Sequence, residues 1–210
     1  MRPFNLQFKG SLHSDQTSNG KRRRDEMQAI RRALHPQILK ACNLNPLLKR
    51  IAGSGFISLR ERGFTMGTGI GARRWDTDWA KVTRRDLEFV PFVVRGAQRT
   101  LTCALDLRIF WREEYRGGIL RQGSDGFDID SRIKGIIDSL TVPPHENQLP
   151  DDTSQDPNPF LCLLENDNLV TRLSVEAYPL GLPPVPEEEE GYLEFNVDVQ
   201  VYSDESDSTI

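Results

Sequence analysis

Two acidic residues one position apart, Asp128 and Asp130, stand in the stretch Gly126-Phe-Asp128-Ile-Asp130-Ser-Arg-Ile-Lys134. In extended backbone, residues i and i+2 project to the same side, so both carboxylates can face one point. Two negative charges held that close repel unless a cation lies between them. Oxygen ligands of this kind suit Mg2+, with Mn2+ as a substitute. From Ser131 onward, Ile133, Ile136, Ile137 and Leu140 recur at helical spacing, which predicts a helix ending near Leu140. Asp130, Lys134 and Asp138 then share the opposite face at steps of four. Carboxylates at a helix entrance with a lysine one turn further in form a candidate phosphate-handling site. The bland alternative for Lys134 is an ion pair with Asp130 or Asp138, worth about 0.2–0.5 kcal/mol on an exposed helix.

Positioning such a site requires a framework, and the hydrophobic pattern supplies one. Phe4 to Lys9, Leu87 to Arg95, Leu101 to Trp111, Leu169 to Tyr178 and Tyr192 to Tyr202 read as strands, and Ile57 to Leu59 as a short one. In the segment from Leu101, Cys103, Leu105, Leu107, Ile109 and Trp111 share one face. Arg22 to Cys42 reads as a helix with Met27, Ile30, Leu34, Ile38 and Leu39 on one side, and His35-Pro36 is expected to break or restart it. Gly63 to Asp78 and Arg112 to Phe127 read as loops. Residues 141–159, with five prolines and several acids, read as an insertion too polar to pack. Residues 183–191 form an acidic linker and 203–210 an acidic, disordered tail. Hairpins mixed with one crossover helix point to an α+β layer structure, a single domain over residues 1–202.

Net charge misleads until it is divided. The chain of 210 residues carries −4 overall. Residues 1–124 hold 24 lysines and arginines against 11 acids, and residues 125–210 hold 3 against 20, so the parts carry +13 and −17. The basic part suits a polyanion such as nucleic acid; the competing reading is that the two parts neutralise each other across the fold. Three scattered cysteines, Cys42, Cys103 and Cys162, argue against a disulfide framework or zinc cluster and for a reducing, cytoplasmic setting. No apolar run approaches the ~18 residues of a membrane helix, and no signal-peptide pattern opens the chain.

Asp167, in the turn Glu165-Asn-Asp167-Asn168 before a strand, is the natural third carboxylate. The pattern Asp-x-Asp-x-x-x-Lys-x-x-x-Asp-x-Leu, followed by an acidic turn and Leu-Val before a strand, resembles the RusA family of Holliday-junction resolvases. The resemblance covers roughly residues 125–175. It implies a mixed β-sheet with a crossover helix after the Asp-x-Asp strand end, and a second helix near the N-terminus. It further implies a homodimer acting on branched DNA in recombination and repair, with no organic cofactor and no membrane. Carried over by position, Asp128, Asp130 and Asp167 bind Mg2+, and Lys134 joins them as the fourth catalytic residue. Two departures stand out: Ser131 where the family usually has Asn, and Asn166 where it commonly has Asp.

DNA is expected against the basic part, with Arg22, Arg23, Arg24, Arg31, Arg32, Arg73, Arg74, Arg84 and Arg85 as phosphate contacts. Two rivals remain. A nucleotidyltransferase also uses Asp-x-Asp after Gly-Ser, but Gly123-Ser124 stands too near Asp128 for the intervening helix. The other is a catalytically inactive DNA-binding or assembly protein that retains the same fold.

Overall fold

Alternation of apolar and polar side chains builds a four-stranded sheet around the segment that shows it most clearly. The computed structural model describes residues 3–13, 20–44, 57–60, 63–66, 82–95, 101–111, 129–179 and 192–203. Its elements are β1 (Phe4–Ser11), α1 (Gly20–Leu44), β2 (Ile57–Arg60), β3 (Gly63–Met66), β4 (Val82–Arg84), β5 (Leu87–Val93), β6 (Leu101–Trp111), α2 (Ile129–Leu140), β7 (Phe160–Leu164), β8 (Val170–Pro179) and β9 (Tyr192–Ser203). The larger sheet has the order β1-β9-β6-β8, antiparallel except for the parallel pair β6 and β8. The hairpin β2-β3 stands as its own two-stranded sheet. The expected mixture of strands with two helices is therefore present, arranged as an α+β fold with two mixed sheets.

One face of the larger sheet is core. Cys103, Leu105, Leu107 and Ile109 of β6 are buried, as are Leu193, Phe195, Val197, Val199 and Val201 of β9. Met27, Ile30, Leu34 and Ile38 of α1 and Ile136 and Leu140 of α2 pack onto them. The other face is polar: Arg108 pairs with Asp198, Lys9 with Glu194 at 2.8 Å, and Arg172 with Asp106 at 3.3 Å. A sheet packed on one side and solvated on the other gives this alternation.

A second sheet, β4-β5-β7, pairs β5 with β7 in parallel. All five residues of β7 are buried, because the strand separates two cores. Leu161 and Leu163 face the main core, while Phe160 and Cys162 join Leu87, Phe89, Val142 and Leu149 in a smaller one. Residues 141–159, expected to be solvated, supply the far wall of that smaller core, with Leu149 fully buried and Val142 nearly so. Arg84 Nε donates to the Pro143 carbonyl at 2.9 Å, Arg85 Nη1 to the Pro150 carbonyl at 2.7 Å, and the Glu88 N–H to Asn158 at 3.0 Å. The segment packs because its few apolar side chains cap an otherwise open sheet face and its carbonyls find fixed donors.

Helix α1 passes through Pro36 without a break. A proline there forfeits one hydrogen bond of the helix ladder, but tertiary contacts hold the segment on both sides. His35 Nδ1 accepts the Leu161 N–H at 3.0 Å and its ring sits edge-on to Phe160. Gln37 exchanges two hydrogen bonds with the Gln7 backbone, at 2.9 and 2.8 Å.

Two predictions follow from this packing. Leu149→Ala should lower stability by about 2–5 kcal/mol, measured by denaturant unfolding; a loss under ~0.5 kcal/mol would return the segment to the status of a solvated insertion. Burial lowers the pKa of His35 from 6.5. The unfolded chain therefore takes up the proton first, and this contribution to stability, intact above pH 6.5, falls away as pH drops below it. His35→Gln, which keeps an acceptor for Leu161 but cannot titrate, should lose less stability than the wild type between pH 7 and pH 5.

Candidate functional site

The exposed side of α2 and the start of β8 enclose a shallow pocket of about 410 Å3 lined by Asp130, Ile133, Lys134, Ile137, Asp138, Asp167 and Leu173. The steps of four that place Asp130, Lys134 and Asp138 on one helix face bring all three to its rim. The turn carrying Asp167 reaches the same place through backbone contacts. Val142 N–H donates to the Leu164 carbonyl at 3.0 Å, tying the exit of α2 to β7, and Glu165 N–H donates to the Val93 carbonyl at 2.9 Å. Asn166 then caps the short turn Asp167–Leu169 by accepting the Asn168 N–H at 3.0 Å. Its amide oxygen is spent on this turn.

Asp130 lies in the first turn of α2, so the extended backbone expected of the acidic pair does not reach it. Asp128 lies outside the described residues. Asp130, Lys134 and Asp167 do share the pocket, and among the described residues no hydrogen bond or ion pair occupies the Lys134 ammonium. Lys134 is therefore not consumed by a salt bridge to Asp130 or Asp138. Asp138 is the residue that sequence reasoning undervalued. Burial raises its carboxyl pKa, against the lowering influence of Lys134, Arg23 and Arg31, and Asp167 raises it further. Its spacing from Lys134 was the available signal.

Asp130 and Asp138 are two helical turns apart, about 12 Å along the axis, and Asp167 acts electrostatically on Asp138. The carboxylates thus run along a groove. Among the described residues, no three His, Cys, Asp or Glu side chains form a group able to hold a metal ion. Asp130 and Asp167 fit Mg2+ in ligand chemistry, since that ion commonly takes only one or two carboxylates directly and keeps several waters.

The arginines divide sharply. Arg31 does not belong to an exposed basic face: it is 1% exposed, donating to Gln28 at 3.2 Å and to the Asp138 carbonyl at 2.8 Å. Arg32 pairs with Asp156, and Arg84 and Arg85 hold carbonyls of residues 141–159. Arg73 and Arg74 lie outside the described residues. The basic start of α1 is what remains near the site. Arg22 is half exposed, bonded to Glu26 at 3.3 Å and to His13 at 2.6 Å. Arg24 is partly buried. A Cβ on Gly135 would come within 3.3 Å of Arg23 Nη2, so α1 begins against the middle of α2. The competing reading, in which the two charge sets neutralise each other, draws on pairs such as these, as Lys21 also pairs with Asp151 at 3.7 Å. The thiols offer no nucleophile, because burial pushes Cys42, Cys103 and Cys162 each up to about 12.

No helix among the described residues is long and apolar enough to cross a membrane. Comparison of the chain with protein-family models, curated proteins and solved structures found no match.

The contrast between the two cations can be measured. Lys134→Ala should change unfolding free energy by less than about 0.5 kcal/mol, whereas Arg31→Ala should cost about 2–4 kcal/mol by stripping the Asp138 carbonyl and Gln28 of a buried donor. Equal effects from the two substitutions would contradict the division made here.

Proposed function

We propose that the chain is a Mg2+-dependent, structure-specific endodeoxyribonuclease acting on branched DNA in recombination and repair. The observation that supports this reading is the meeting of Asp130, Lys134 and Asp167 at one pocket from segments more than thirty residues apart. Asp128, Asp130 and Asp167 would hold the ion, at least one of them through water. Bound there, Mg2+ would supply polarisation of a phosphate oxygen and a more acidic water. Lys134, with its ammonium unpaired among the described residues, would stabilise charge building on the scissile phosphate. Arg22, Arg23 and Arg24, at the helix start packed against α2, would position neighbouring phosphates without reading bases.

A second reading, an inactive DNA-binding or assembly protein of the same fold, draws on a specific observation of its own. The described carboxylates are strung along the groove rather than gathered in threes. The two readings part in one experiment. Synthetic four-way junctions, forks and linear duplex are incubated with the protein, with and without Mg2+ or Mn2+. The nuclease reading expects metal-dependent nicking of branched substrates, reduced at least a hundredfold by Asp130→Asn, Asp167→Asn or Lys134→Ala, with DNA affinity retained and falling steeply with salt. Junction binding without cleavage under any metal supports the second reading. A flat salt response removes both.

A further inference from the structure

Just past β1 lies a group of ionisable side chains centred on His13, which the proposed reaction does not use. The residue is 6% exposed. Glu26 grips it twice, with Oε2 accepting the His13 backbone N–H at 2.9 Å and Oε1 lying 2.6 Å from Nδ1. On the other side of the ring, Arg22 Nη2 lies 2.6 Å from Nε2. A guanidinium has only donors to offer, so Nε2 must be the acceptor. The ring proton then sits on Nδ1 and is donated to Glu26, and the imidazole in this arrangement is neutral. Two further cations hold the same segment. Arg23 Nη1 donates to the His13 carbonyl at 3.4 Å from α1, and Arg132 donates to the Leu12 carbonyl from α2.

A proton added to this ring has one place to go, and Arg22 stands in front of it. Nε2 would become a donor aimed at another donor, with imidazolium and guanidinium repelling each other at close range. Of the two groups only Arg22 is able to move away: its side chain is 52% exposed, whereas His13 is buried and held at both its N–H and its carbonyl. We propose that His13 is a proton-operated latch on Arg22 that couples anion binding to proton uptake. The neutral ring holds the guanidinium against itself. One proton from solvent, bound at Nε2, releases it, and an entering phosphate oxygen then accepts from both Nε2 and Arg22. Glu26 keeps the Nδ1 proton throughout, and its charge offsets the new imidazolium among Arg22, Arg23 and Arg132. Histidine suits such a device, since its charge ordinarily changes between pH 5 and 8. By reciprocity, an anion that prefers the protonated form draws the proton onto it, so anion binding tightens as pH falls. That the anion is DNA rests on the reading under Proposed function; the latch itself does not.

The test uses the full chain, with circular dichroism as the check on folding and with inorganic polyphosphate and a DNA duplex as separate probes at one ionic strength. Without any anion, NMR from pH 8 to pH 5 should show the Arg22 Nε–H signal moving together with the His13 ring signals. In His13→Gln that movement of Arg22 should vanish. The gain in polyphosphate affinity from pH 7.5 to pH 5.5 should be at least about fivefold larger in the wild type than in His13→Gln. Arg22→Gln, at a half-exposed position, carries the test if His13→Gln does not fold: its His13 ring should take up the proton at a higher pH than in the wild type, because the opposing cation is gone. An Arg22 signal indifferent to titration of the ring, an equal gain in affinity in His13→Gln, or an Arg22→Gln ring that titrates as in the wild type would each overturn the proposal. A gain with polyphosphate and no binding of DNA at either pH upholds the latch and removes the DNA reading.

Discussion

A guanidinium with almost no access to water must be held by oxygen atoms from several directions, and the placing of Arg31 organises much of this molecule. Its Nη atoms reach Gln28 on its own helix and the Asp138 carbonyl on α2. Gln28 in turn donates to Asp156 at 2.7 Å, while Thr141 shares the Asp138 carbonyl at 2.9 Å. Burial pulls the Arg31 pKa down, against support from Cys162, Asp138 and Asp156, yet an arginine stays charged under any ordinary condition. The Nε atom has no hydrogen-bond partner, so the site is not fully satisfied. Removing surrounding oxygens would therefore be costly. The consequence is geometric: α1, the exit of α2 and residues 141–159 are fixed to one another at the end of the groove where Asp138 lies.

The length of the groove follows from topology. Strands β6 and β8 are parallel, so the chain between them must travel back the length of the sheet, and α2 provides part of that return. A twelve-residue helix spans about 18 Å, comparable with the strand beside it. Groups at steps of four therefore become spread along the sheet edge. Ile133, Ile137 and Leu173 form an apolar floor between the charged residues, and an apolar floor strengthens the field of any charge lying on it.

How far the sequence could be read depended on whether the signal was local. β6 and β9 were legible because one face is buried along nearly the whole strand, and period-two alternation records that directly. The buried stripe of α1 was legible for the same reason at period 3.6, but the survival of the helix through Pro36 was not, since it relies on Leu161 and Gln7. The smaller sheet was hidden: three residues of β4 carry little pattern, and the pairing of Phe89 with Phe160 joins segments far apart in the chain. Residues 141–159 misled by composition, because Val142 and Leu149 bury themselves among many polar neighbours. At the site, the shared face of Asp130, Lys134 and Asp138 was contained in the spacing, whereas the arrival of Asp167 depends on the tertiary placement of β7. Nor could adjacent arginines be sorted. Arg31 and Arg32 look alike in sequence, yet one is fully buried and bonded to α2 while the other, partly exposed, pairs with the buried carboxylate of Asp156.

This sorting changes how the charge asymmetry should be understood. Were the basic half a single DNA-facing surface, its cations would be left without carboxylate partners. Instead Arg32, Lys21, Arg108 and Lys9 are each paired with an acid from beyond residue 150, alongside Arg172 with Asp106. Apart from Arg32, whose partner Asp156 has a buried side chain, these pairs are largely exposed and individually weak, so their main effect is to flatten the long-range field over much of the surface. Around the start of α1, Arg22 is the more exposed cation and Arg23 acts on Asp138 across the helix contact. A polyanion arriving there would meet positive potential beside a groove lined with carboxylates. A bare phosphate would be drawn to the first and repelled by the second. Occupation of the groove by phosphate thus requires a neutralising charge, and Lys134 supplies one at its centre.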